Sequence, residues 1–244
     1  MSDNNKRSRR VALRIVFLVV LVIASVIIIA RQRNTPYQHN TGFIFGTVYN
    51  ITYQSSSDLQ PEIEAELMRV DSSLSPFNKQ SIITQVNNNR PVKLNDKFTE
   101  VFTLAEKISK ETGGAFDITV APLVNEWGFG FKTGVAPTKH VIDSLRAIVG
   151  YQKVKLVDGQ VRKADPRIML DCSGIAKGYG SDCVARLLRK HGIENFMVEI
   201  GGEVVTSGIN PDRVPWRIGV TKPVDDSLNI NQELQTVLNV TDKA

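Results

Sequence analysis

The chain has 244 residues, 42% of them hydrophobic, 23% charged and 7% aromatic, a composition that excludes a disordered chain, a collagen and a disulfide scaffold. Its formal charge is +5, from 30 basic and 25 acidic side chains. Met1 to Arg33 alone holds seven basic residues (Lys6, Arg7, Arg9, Arg10, Arg14, Arg31, Arg33) against Asp3, a net of +6, which leaves 23 basic and 24 acidic side chains, a net of −1, for residues 34–244. The excess charge therefore belongs to the N-terminal segment, and a nucleic-acid-binding body loses its compositional support.

Residues 1–10 form a basic stretch, and residues 11–30 are apolar apart from Arg14 and Ser25. Such a run is long enough to span a bilayer if Arg14 snorkels back to the interface. Four basic residues precede it and only Arg31 and Arg33 follow it closely, so the positive-inside tendency keeps the N-terminus in the cytoplasm. A cleaved signal peptide would need a shorter apolar core and a small-x-small site, but bulky Ile28 and Ile29 precede Arg31. The expectation is an uncleaved, single-pass anchor in the cytoplasmic membrane at 11–30, a polar linker at 31–41 containing Pro36, and a periplasmic domain over 42–244.

Within that domain the elements alternate. Phe43 to Gln54 is β-branched and aromatic and predicts a strand; Leu59 to Val70 predicts a helix with Ile63, Leu67 and Val70 on one face. Phe98 to Lys110 predicts a second amphipathic helix stopped near Gly113-Gly114, and Val141 to Ile148 a third. Val154–Val157 and Val161–Lys163 flank Asp158-Gly159, a strong hairpin signal. Arg167 to Leu170 reads as a brief strand running into a helix from about Ile175 to His191. Asn195–Ile200, Trp216–Thr221 and Leu234–Val240 complete the strands. Helices interspersed with hairpin-joined strands predict an α+β fold with mixed or antiparallel sheets.

Three clusters carry possible chemistry. The first, Asp171 to Gly180, places glycines, Lys177 and a helix N-terminus together, the outline of a phosphate site without Walker or Rossmann spacing. Asp171 would repel a bare phosphate and fits an acceptor for a ring N–H or part of a metal environment. The same run reads equally as a helix capped by Asp171 or Ser173, with glycines for close packing. The second, Thr112 to Gly130, has a helix-ending Gly pair, Asp117 and an aromatic turn at Trp127 and Phe129, and by itself reads as a loop and strand with a buried Trp. The third, Glu199 to Glu203, is a strand with a Gly pair where a ligand could approach or a β-bulge could sit.

In this order GGAFDITVAPLVNEWGFG, DCSGIAKGYGSD and VEIGGEV, with Phe45-Gly46-Thr47 and Ser75-Pro-Phe-Asn78 ahead of them, resemble the ApbE-like family of FAD:protein FMN transferases. The resemblance implies a T-fold-like α+β domain that, with Mg²⁺, transfers FMN from its substrate FAD to a threonine hydroxyl of an acceptor protein and releases AMP. It places Phe45, Phe77, Ala115, Phe116, Asp117, Asp171 and Lys177 at FAD-binding positions and the carbonyl of Gly174 at a metal position. The implied acceptors are threonine-bearing subunits of membrane redox complexes. Family members carry a His, an Asp and a Thr beyond the equivalent of Ala244, so the expectation is a truncated chain whose catalytic residues lie past residue 244. Two rival readings use the same site: an FAD pyrophosphatase yielding free FMN and AMP, and a non-catalytic, membrane-tethered flavin-binding module. Cys172 and Cys183 fall roughly 12 Å apart along one helix, too far for a direct bridge, and are expected as two buried free thiols.

Overall fold

The computed structural model describes residues 13–27, 35–129, 136–222 and 233–244. The expected basic stretch 1–10, the two ends of the expected anchor (11–12 and 28–30), the start of the linker (31–34) and Gly130 of the second cluster lie outside them. Residues 13–27 are helical (α1); among the described residues no helix is long and apolar enough to cross a membrane.

The domain begins earlier than its composition suggests. β1 (Tyr37–Ile44) starts inside the stretch expected as linker and pairs antiparallel with β2 (Thr47–Gln54) through a two-residue turn at Phe45-Gly46. The single strand expected over Phe43–Gln54 is thus the tip and second arm of a hairpin. Both turn residues have positive φ, 53° and 77°, as a tight turn compatible with strand twist requires, and only the second is a glycine. β5 (Phe196–Ile200) and β6 (Glu203–Ser207) complete an antiparallel sheet in the order β1-β2-β5-β6. Gly201 and Gly202, with φ of 55° and 94°, join them, so the third sequence cluster is a hairpin turn and not a bulge.

Tyr49, Ile51 and Tyr53 alternate along β2 onto the same buried face as Phe196, Val198 and Ile200 of β5, following the two-residue period of a strand. α2 (Gln60–Leu74) and α7 (Ser173–Lys190) cover that face with Ile63, Leu67, Val184, Ala185 and Leu188. A second core lies around α4 (Asp96–Glu111). α4 starts where the Asn95 side chain accepts the Phe98 N–H, a cap worth about 1 kcal/mol, and buries Phe98, Val101, Phe102 and Ala105 at helical spacing. Tyr179 and Cys183 of α7 join this second core. Tyr179 and Arg186 both donate to Glu100, at 2.6 and 2.7 Å, tying α7 to α4.

The expected hairpin appears as β3 (Val154–Val157) and β4 (Gln160–Lys163), and β7 (Trp216–Thr221) pairs with β8 (Leu234–Val240). α6 (Lys139–Arg146) begins at a Thr138 cap. Two helices were not legible: α3 (Ile82–Asn87) and α5 (Ala121–Glu126), the latter preceded by a 3₁₀ turn at Ile118–Val120. α5 occupies ground expected as loop and strand, α3 lies where the sequence predicts no element, and Trp127, expected to be buried, is 51% exposed. The strand expected at Arg167–Leu170 has no ladder partner among the described residues, although Ile168 and Leu170 are buried.

Both cysteines are free and buried. Burial pushes the Cys172 thiol up to about 12, and the neighbouring Asp171 charge adds to the shift. At pH 8 Cys172 is accordingly expected to resist alkylation in the native protein, and two thiols per chain to react after denaturation; a denatured count near zero would mean a disulfide instead.

Candidate functional site

The start of α7 sets the site. Cys172 occupies the N-cap position without a side-chain cap, and the carboxylate of Asp171 instead accepts the Ser173 N–H at 2.7 Å. The capping reading and the ligand-site reading therefore meet in one residue: one Asp171 oxygen serves the helix. Lys177, one turn on, points its ammonium at the hairpin turn, donating to the Gly201 carbonyl at 3.1 Å and standing 3.5 Å from Glu203.

In front of this helix end lies a cleft of about 560 Å³, walled by Phe45-Gly46, the end of α2 with Asp71 and Leu74, the loop Ser75–Asn78, Phe129, and Ser173, Ala176 and Lys177 of α7. A narrow extension shares Phe77, Phe129 and Ser173 and reaches Asp171, Asn87 and Asn125. The fold thus brings four expected site residues together: Phe45, Phe77 and Lys177 in the cleft and Asp171 in its extension. Phe77 and Phe129 are 65% and 82% exposed. Two large, solvent-exposed rings beside one concavity would lose water-exposed apolar surface on covering a planar apolar ligand.

The loop carrying Phe77 is held from both sides. Ser81 donates to the Ser75 carbonyl at 2.6 Å, and Thr84 to the Pro76 carbonyl at 3.2 Å. Asn78 donates to Asp71 at 2.9 Å. Asp71, Asn78 and Phe129 are cleft residues that the sequence reading did not assign. Asp71 carried one signal: an acid in the last turn of a helix, opposed by the dipole by about 0.3–1 kcal/mol, needs another reason to be there.

The expected triplet Ala115, Phe116, Asp117 does not line the cleft. Ala115 is exposed. One oxygen of Asp117 accepts from the Thr119 N–H and hydroxyl, at 2.8 and 2.7 Å, and the other from the Tyr151 N–H at 2.7 Å. That carboxylate pins the 3₁₀ turn to the start of the β3–β4 unit. Phe116 packs at the base of α7: a Cβ on Gly174 would stand 3.7 Å from its ring. Gly174 thus sits in the first turn of the helix, against Phe116.

Among the described residues no three His, Cys, Asp or Glu side chains group to hold a metal ion. Mg²⁺ asks for near-octahedral oxygen ligation, and one main-chain carbonyl at Gly174 does not meet it. The described residues alone do not form a magnesium cage.

Among the described residues Lys177 is the cation that lines the cleft. Its pair with Glu203 is partly solvent-exposed on both sides, 35% and 52%, and such pairs contribute only about 0–1 kcal/mol. A diphosphate could displace it. Two other cavities, about 490 Å³ between α4 and α7 and about 880 Å³ beside the β3–β4 hairpin, contain none of the expected site residues.

The ApbE family model matches residues 45–244. The FAD:protein FMN transferase of Vibrio cholerae serotype O1 is 36% identical over 228 residues, covering 88% of this chain and 68% of the relative. That of Haemophilus influenzae is 34% identical over 222 residues, covering 84% and 64%. The chain thus spans about two thirds of these relatives' length. Among solved structures, the flavin transferase ApbE from Vibrio cholerae superposes with a TM-score of 0.77 at 36% identity, over 85% of this chain and 69% of that one.

Two glycines about two turns into α7 separate packing from propensity. A Cβ on Gly180 would lie 2.7 Å from the Phe45 ring, whereas one on Gly178 meets nothing within 4 Å. Gly178→Ala is expected to stabilise by up to about 1 kcal/mol through helix propensity. Gly180→Ala carries the same gain against about 1–3 kcal/mol of overpacking, and displaces a cleft wall. Thermal unfolding of both variants checks this: the melting temperature should rise for Gly178→Ala and fall for Gly180→Ala.

Proposed function

Because the chain belongs to the ApbE family, we propose that it is an FAD:protein FMN transferase, holding FAD between the Phe45-Gly46 turn, the Ser75–Asn78 loop and the start of α7. The observation that carries this reading is the convergence of solvent-exposed aromatic side chains and an exchangeable lysine on one cleft. Phe77 and Phe129 offer faces to an isoalloxazine ring, and Phe45 an apolar contact. Lys177 exchanges Glu203 for the diphosphate, and the oxygen of Asp171 not bonded to Ser173 is left to accept a ring N–H. Ala115, Phe116 and Asp117 act from behind, Asp117 by fixing the turn that leads to α5.

A threonine hydroxyl of the acceptor attacks the phosphorus on the FMN side of the diphosphate. The new O–P bond forms as the bond to the AMP oxygen breaks, AMP leaves, and the hydroxyl proton is released. Such a transfer needs positioning and charge neutralisation more than covalent help from the enzyme. The magnesium requirement is carried over from the family, with Gly174 as the position it names, and no step above is assigned to the ion.

The N-terminal run 11–30 is read as a membrane anchor with the N-terminus in the cytoplasm and the transferase domain on the periplasmic side. Its support is the +6 charge of Met1 to Arg33 and the apolar side chains of α1, which stand about half or more exposed. Acceptors there would be threonine-bearing subunits of membrane redox complexes.

Incubation of this chain with FAD, Mg²⁺ and a threonine-bearing acceptor is expected to give little flavin on the acceptor, since the described residues form no magnesium cage, and whatever is transferred should come with equimolar AMP and vanish without Mg²⁺. Free FMN with AMP would assign hydrolysis, and stoichiometric flavin on the acceptor would refute the weak-transfer expectation. For the anchor, the protein expressed in a bacterium should stay in the membrane pellet after alkaline carbonate extraction, and deletion of residues 1–33 should release it. Full-length protein in the soluble fraction would refute that part of the reading.

A further inference from the structure

The segment leading into α7 buries Ile168 and Leu170 completely, and among the described residues no neighbouring strand takes up its peptide groups. Buried N–H and C=O groups need partners. Asn87, the last residue of α3, supplies both for Leu170: its Oδ1 accepts the Leu170 N–H at 2.7 Å, and its Nδ2 donates to the Leu170 carbonyl at 2.9 Å. A carboxamide carries the donor and acceptor of a peptide, so this one side chain takes the place of one residue of a β-ladder.

The next links reach the site. The Asp171 N–H donates to the Ile118 carbonyl at 2.7 Å, and the Asp171 carboxylate accepts the Ser173 N–H that opens α7. At its other end α3 is tied to the Phe77 loop through Ser81 and Thr84. This six-residue helix therefore joins the wall carrying Phe77 to the wall carrying Asp171, and Asn87 is the joint. Lys163 reinforces it, donating to the carbonyls of Val86 at 3.1 Å and Ile168 at 2.9 Å.

We propose that Asn87 is a positioning residue of the cleft, holding the Asp171 carboxylate and the first turn of α7 in fixed relation to Phe77. The proposal rests on the flavin reading for the identity of the ligand and on the hydrogen bonds alone for the positioning.

Asn87→Leu keeps the size and removes both bonds; Asn87→Asp keeps the acceptor and loses the donor. By hydrogen–deuterium exchange the amides of Asp171 and Ser173 are expected to exchange at least about tenfold faster in Asn87→Leu, with Asn87→Asp between it and the native protein. FAD affinity, read from flavin fluorescence, is expected to fall roughly tenfold in Asn87→Leu. In an Asp171→Ala background the same substitution should cost less than about twofold, since both act through one carboxylate. Unchanged exchange at Asp171 and Ser173, or additive losses of affinity, overturns the proposal. If the native protein binds no FAD but exchange responds as expected, the flavin reading falls and the positioning role stands. If circular dichroism shows Asn87→Leu unfolded, Asn87→Asp carries both measurements with the same expected directions.

Discussion

The structure depends on the burial of α7. Tyr179 and Cys183 belong to the core around α4, Val184, Ala185 and Leu188 to the core under the sheet, and Phe45 packs against both. Burying side chains such as Tyr179, Val184 and Leu188 contributes roughly 1.5–3 kcal/mol each, which together matches much of the 5–15 kcal/mol that typically separates folded from unfolded domains. A helix held that firmly gives its first turn a fixed position. The cleft is built on that turn, and Gly180, about two turns into the helix, leaves the room that the Phe45 ring of one cleft wall takes up, since a Cβ there would stand 2.7 Å from it.

Around this frame the polar groups divide by how their hydrogen bonds are used. Asp117 accepts three and Asn87 makes two, all within the protein, so these residues shape the site. Lys177 has a half-exposed partner that costs little to give up, and Phe77 and Phe129 are largely solvent-exposed. Those are groups with free energy to gain from a ligand. Membership of a short motif thus does not fix which way a side chain faces: Asp117 and Phe129 lie in the same motif, one hydrogen-bonded inward and the other lining the cleft.

Periodic elements are legible in the sequence. α4 and α7 fall within one or two residues of the expected helices, and the β3–β4 hairpin and the strands β7 and β8 stand where expected. The failures share a cause. Phe43–Gln54 is uniformly β-prone, and nothing in the apolar alternation marks Phe45-Gly46 as a turn, because a phenylalanine at positive φ is held by packing and not by propensity. α3 and α5 are six residues each, too short for a helical period to show. Arg167–Leu170 has the composition of a strand and lacks only a partner strand, which a side chain 83 residues distant replaces.

By itself the sequence determined the location of the charge, the α+β class, the long helices and the motifs that mark the family, all of which depend on neighbours within a few residues or on order along the chain. The tertiary structure alone decided which motif residues face the cleft, that Asp71, Asn78 and Phe129 join them, and that Asn87 holds the two walls together. Those outcomes depend on which distant backbone groups are left without a partner once the two cores close on α7, and a hydrogen bond between residues 87 and 170 leaves no trace in the local pattern around either.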